Sequence, residues 1–171
     1  MEKLQAQVSI IMGSTSDLAI MEKAAKVLDE FQMPFEMNAL SAHRTPQAVE
    51  EFAKNAEKRG VKVIIAAAGM AAHLGGVIAS MTTLPVIGVP IKSSLEGMDA
   101  LLAIVQMPPG IPVATVGING SMNAGILAVQ IIALQDERVN KQLKEYKENL
   151  KKKIEKANEE LKDIKFAYKT N

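Results

Sequence analysis

Cysteine is absent from this sequence, which excludes disulfides, thiolate nucleophiles and cysteine-rich zinc sites and agrees with a reducing compartment. A surplus of either charge is missing too. Formal net charge is +1, so the molecular field offers nothing to nucleic acid or an anionic membrane, each of which favours a basic surface. The first apolar stretch, Val8 to Met12, falls far short of the roughly 18 residues that cross a bilayer. Ahead of it, Met1-Glu2-Lys3-Leu4 carries no signal-peptide pattern. Histidine occurs only twice, and without cysteine the pair fits no standard metal spacing. Glycine-rich nucleotide fingerprints are lacking as well. These absences predict a soluble cytoplasmic protein with no metal and no organic cofactor, whose partner is a small molecule or another protein.

What is present suffices for one ordinary core, since 48% of the 171 residues are hydrophobic. The β-branched run Val8 to Met12 closes at Gly13. After Ser16-Asp17 the apolar residues Ile20, Met21, Ala24, Val27, Leu28 and Phe31 recur with a helical period. Strand, loop and helix then repeat: Phe35 to Leu40, Ser41 to Thr45, and a helix opened by Pro46 that carries Val49, Phe52, Ala53 and Ala56 before Gly60. Val61 to Ala67 reads as a third strand, apolar almost throughout, as in a parallel sheet covered on both faces. A long loop is expected from Ala68 to Gly76. Short strands are expected at Val86 to Val89 and Val113 to Val116, with helices at Met98 to Val105 and Met122 to Leu134. Such alternation predicts a doubly wound α/β sheet.

From Asp136 onward lysine and glutamate dominate, while Val139, Leu143, Tyr146, Leu150, Ile154, Ala157, Leu161 and Ile164 recur every three or four residues. That spacing predicts one long amphipathic helix whose stripe needs an apolar cover, either a neighbouring subunit or its own domain. The expected division is therefore an α/β domain over 1–135 and a helical extension over 136–171. The extension holds eleven basic and eight acidic side chains out of 20 and 19. No basic patch is hidden in the core.

Ligands of doubly wound sheets bind beyond the carboxyl ends of the strands, where strand order reverses. The loop Gly13-Ser14-Thr15-Ser16-Asp17 enters a helix N-terminus and offers hydroxyls and free N–H groups to an anion; Ser16 or Asp17 could equally serve as a helix cap. Ser41-Ala42-His43-Arg44-Thr45-Pro46 holds one of the two histidines and one of three arginines. Arginine presents a planar fork to phosphate, histidine titrates near neutrality, and Thr45 is expected to cap the helix begun by Pro46. In Ala68 to Gly76, His73 stands among small residues that let a ligand approach closely, or it is a hydrogen-bonded structural residue. With strands in the order 2-1-3-4-5, Ser14, Asp17, Ser41, His43, Arg44 and His73 would gather at one crevice. A receiver domain would need an acidic cluster where Gly13-Ser14 stands. A flavodoxin would need aromatic side chains to stack on flavin, and these loops have no Phe, Tyr or Trp.

In these three loops the chain resembles the carboxyaminoimidazole ribonucleotide mutases of bacterial purine synthesis, in the class I form. The likeness continues through Leu84 to Pro90, through Ile104 to Val116 with its Gln106-Met107-Pro108-Pro109-Gly110, and to Asn123-Ala124, covering roughly residues 7–135. Gly75 stands where that family usually has proline, and Ile118-Asn119-Gly120-Ser121 is atypical. The resemblance implies a flavodoxin-like subunit in a homo-octamer, with active sites shared between neighbours and the C-terminal helix reaching another subunit. It also implies loss of carbon dioxide from an N-carboxy nucleotide and recarboxylation of the aminoimidazole at ring carbon 4. His43 would shuttle protons, and Ser14, Asp17 and Arg44 would bind the ribonucleotide. Ser41, Ala71 and His73 would complete the substrate pocket. Two alternatives remain at this point: a carboxylase that takes free carbon dioxide, expected to differ in the second and third loops, and a non-catalytic sensor of a phosphorylated metabolite.

Overall fold

The computed structural model describes residues 4–171; Met1, Glu2 and Lys3, where the signal-peptide reading began, lie outside the described residues. Five parallel strands form one sheet, β1 (Val8–Met12), β2 (Phe35–Ala39), β3 (Val63–Gly69), β4 (Val86–Ile91) and β5 (Ala114–Thr115), in the order β2-β1-β3-β4-β5. The expected doubly wound order is thus observed. Between and after them run α1 (Leu18–Glu30), α2 (Pro46–Ala56), α3 (Leu74–Ala79), α4 (Met98–Val105), α5 (Ser121–Ala133) and α6 (Glu137–Lys162).

Side-chain alternation splits the core across the sheet. Ile11, Ile64, Ala66, Ala68 and Val86 face a cluster made with Val49 and Phe52 of α2, Leu74 and Ile78 of α3, and Ala100 and Ile104 of α4. Their neighbours Ile10 and Ile65, paired in register and fully buried, point to the opposite face. There α5 lies against α1 so closely that a Cβ on Gly125 would stand 3.1 Å from Ala24 O. Ser121 Oγ donates to Ile20 O at 2.5 Å.

Several bounds differ from the sequence reading: β3 begins at Val63 rather than Val61, and β4 runs on to Ile91 rather than ending at Val89. The long loop after the third strand is shorter than expected, because β3 extends to Gly69 and α3 begins at Leu74. Glycines at 75 and 76 suppress helix propensity, yet Leu74 and Ile78 one turn apart are both buried, and that packing prevails. The fifth strand shrinks to Ala114–Thr115. Proline at 112 cannot donate to a ladder, which limits how early the strand can begin.

The chain divides into two compact units, Met1–Ile132 and Ala133–Asn171. Within the second, Asp136 caps α6 by accepting from Val139 N at 3.1 Å, and Lys151–Glu155 (3.6 Å) and Lys156–Glu160 (3.8 Å) pair one turn apart. Leu150, Ile154, Leu161 and Ile164 of the expected stripe are exposed, Ile154 by 65%. No described helix is long and apolar enough to cross a membrane.

Candidate active site

Strand pairing brings the three loops together. Met12 at the end of β1 is in register with Ala39 of β2 on one side and Ala67 of β3 on the other, so the segments that leave these strands emerge side by side. They surround a cavity of about 420 Å³. Gly13, Ser14, Ser16 and Asp17 line it from the first loop, Ser41, His43 and Arg44 from the second, and Gly69, Met70 and Ala71 from the third.

In the first loop, residues Thr15–Asp17 form a single 3-10 turn before α1. Ser14 Oγ accepts from Ser16 N at 3.3 Å and so caps this turn. Neither residue expected to cap α1 does so: Asp17 occupies the N-cap position without a capping bond, and Ser16 Oγ donates to Asp17 Oδ1 at 3.1 Å. Burial pushes the Asp17 carboxyl up from its ordinary range, and the Ser16 hydrogen bond pulls it part of the way back.

The second loop is a closed turn. Thr45 N donates to Ser41 O at 2.8 Å, while Thr45 Oγ1 donates to Ser41 O at 3.1 Å and accepts from Ser41 N at 3.0 Å. This corrects the expected cap: Thr45 precedes Pro46 at the N-cap position, but its hydroxyl is spent on the turn. The turn aims Arg44 across the cavity, where Nη2 donates to Gly13 O at 2.6 Å and Nε donates to Ser41 Oγ at 3.3 Å.

His43 Nε2 lies 3.0 Å from His73 Nδ1, and the two rings meet edge to face at 82°. One nitrogen must donate and the other accept, so the pair shares one hydrogen and their tautomers are fixed relative to each other. His73 stands at the N-cap of α3 and is absent from the cavity wall; it reaches the cavity through His43. The structure therefore gathers Ser14, Asp17, Ser41, His43, Arg44 and Ala71 directly and His73 at one remove. Among the described residues no group of three or more His, Cys, Asp or Glu side chains could hold a metal ion.

Sequence reasoning missed Met70, Ile91 and Ser93 in the wall. The same rule about strand ends would have reached Ile91 and Ser93 had it been applied to the fourth strand. Met70 has a left-handed backbone (φ 52°), which sequence does not signal for methionine.

The profile of the AIR carboxylase family matches residues 7–153. The chain belongs to that family. It is 57% identical over 147 residues to an N5-carboxyaminoimidazole ribonucleotide mutase of Pyrococcus abyssi, covering 85% of this chain and 84% of the relative. A phosphoribosylaminoimidazole carboxylase of Candida glabrata is 54% identical over 140 residues, which cover 81% of this chain but 25% of that protein. Among solved structures, a crystal structure of Treponema denticola PurE superposes with a TM-score of 0.84 at 32% identity, covering 91% of this chain and 98% of the other. The family resemblance read from the three loops is thereby borne out.

Proposed function

We propose that this chain is a 5-(carboxyamino)imidazole ribonucleotide mutase of purine biosynthesis, an isomerase that works without metal or organic cofactor. The observation that carries the reading is a cavity where an arginine, a carboxylate and a paired imidazole converge, in a chain matched nearly end to end by relatives named as this mutase. In a relative named carboxylase the matching region is about a quarter of the length.

The reaction moves a carboxyl group from nitrogen to carbon, so the amine nitrogen gains a proton and ring carbon 4 loses one. A single acid–base group can serve both events; of Asp17 and His43 in the wall, the imidazole is the side-chain type suited to give and take a proton near neutrality, so the role goes to His43. His73, sharing a hydrogen with His43, fixes which His43 nitrogen is free. Arg44 supplies charge-assisted donors to the phosphate. Ser14 and Ser41 donate to phosphate oxygens, Asp17 accepts from a ribose hydroxyl, and Ala71 with the loop before His73 encloses the base. Enclosure suits the chemistry, because carbon dioxide released in the first half must be held for the second. In this reading the subunits form a cytoplasmic homo-octamer, and residues 136–171 bury the exposed stripe of α6 on a neighbour while 1–135 act as the catalytic domain.

The test is to supply the N-carboxy nucleotide alone, then aminoimidazole ribonucleotide with bicarbonate. Efficient turnover of the first is expected. Efficient use of the second with little of the first would make the protein a carboxylase; nucleotide binding without turnover would make it a sensor.

A further inference from the structure

The segment Ile118-Asn119-Gly120-Ser121, atypical against the family pattern, has no part in the site described so far. In the fold it lies beside the loop that carries Ser93. Asn119 has a left-handed backbone (φ 56°), which asparagine tolerates better than most residues. Its Oδ1 accepts from Lys92 N at 2.9 Å, and its own N–H donates to Pro90 O at 2.8 Å. Asn119 thus grips the chain on both sides of Ile91, the last residue of β4. Ile118 braces the far end of the loop, since a Cβ on Gly97 would come within 2.8 Å of Ile118 Cγ2.

Between these grips the backbone is strained. Leu95 (φ 43°), Glu96 (φ 58°) and Gly97 (φ 87°) are left-handed in succession, and such a run persists only where its surroundings over-determine it. The Lys92–Glu96 ion pair is one more tie, although both side chains are largely exposed. At the near end of the loop Ser93 enters the cavity wall, with its Cβ 3.6 Å from where a Cβ on Gly69 would stand.

We propose that Asn119 is a positioning residue whose side chain holds the Lys92–Gly97 loop so that the Ser93 hydroxyl hydrogen-bonds the nucleotide. This rests on the functional reading above for the identity of the ligand, while the grip itself does not. Asn119→Gly keeps the left-handed backbone and deletes the acceptor, whereas Asn119→Asp restores an oxygen in its place. In Asn119→Gly the Lys92 amide exchanges faster with solvent, and KM rises about 3- to 10-fold with kcat within about twofold, the scale of one neutral hydrogen bond. Asn119→Asp returns both toward the parent. Ser93→Ala raises KM to a similar degree, and the double variant Ser93→Ala/Asn119→Gly is no worse than the poorer single change, because the two act through one contact. An unchanged KM in Asn119→Gly, additive effects in the double variant, or an unaltered Lys92 exchange rate would each overturn the proposal. If the parent protein neither turns over nor binds the nucleotide, the functional reading fails, and the exchange rates alone then decide whether Asn119 holds the loop.

Discussion

Replacing Gly75 by alanine is expected to stabilise the protein, and the structure sets the size of the gain. Gly75 lies in the first turn of α3 with a backbone that any L residue can adopt, being absent from the positive-φ positions. A Cβ there would meet Ala66 Cβ at 3.7 Å and Val113 Cγ1 at 3.8 Å, both ordinary contact distances. Removing glycine's freedom from the unfolded chain contributes about 0.4–1 kcal/mol, and one added buried methyl contributes up to about 0.8 kcal/mol. The sum, about 0.4–1.8 kcal/mol, corresponds to a rise in Tm of roughly 1–7 °C for a chain of this size. Gly88 supplies the control, because it touches the same Val113. There a Cβ would stand 2.3 Å from Ile104 Cγ2 and 3.1 Å from Val113 Cγ1, an overpacking that costs about 1–3 kcal/mol. Thermal unfolding followed by circular dichroism should move in opposite directions for Gly75→Ala and Gly88→Ala. Two shifts of the same sign would refute the packing described around β4.

His43→Asn should lower kcat by at least the ~10²-fold typical of lost acid–base catalysis while product still binds in calorimetry; near-normal kcat would remove His43 from the role of shuttle. Arg44→Ala should weaken nucleotide binding by roughly 10- to 150-fold, the equivalent of a lost ionic hydrogen bond of ~1.5–3 kcal/mol, with unchanged affinity counting against it. Asp17 is raised by burial, so its ionised form opposes folding above the raised value, and the penalty fades as pH falls through that value toward 3.8. Asp17→Asn should therefore be the more stable protein at pH 7 and lose its advantage near pH 4 in urea melts, and a gain that grows on acidification would contradict the cause given. Sedimentation should find about eight times the 18.4 kDa chain mass, falling when Ile154 and Leu161 are changed to lysine; a monomeric parent would end the octamer proposal.

Legibility in the sequence followed how local each signal was. β1 and the start of β2 were readable because β-branched or apolar runs end at turn residues, and α2 because Pro46 fixes its first position. By contrast α3 was hidden, since two glycines erase a propensity signal that only the burial of Leu74 and Ile78 overrides. The crevice was legible as a set of loops, because strand order alone decides which loops are neighbours. What each hydroxyl does was not: Ser14, Ser16 and Thr45 all sit where caps are expected, and their bonds depend on turn geometry within a few tenths of an ångström. The contact between His43 and His73, thirty residues apart, depends on the register of β1 with β3 and on the left-handed turn at Met70. Ser93 lay within reach of the same strand-end rule.

Arg44 is anchored within the cavity wall. Its guanidinium already holds a backbone carbonyl, that of Gly13, at 2.6 Å. That bond and the one from Nε to Ser41 Oγ occupy two of the five N–H donors of a guanidinium, so an anion meets a cation that is already oriented and still has donors to give. A phosphate, with two charges and several oxygens, can take more than one of the remaining donors. The carbonyl thus acts as a splint, fixing a long side chain before the ligand arrives so that less rotamer freedom is lost on binding.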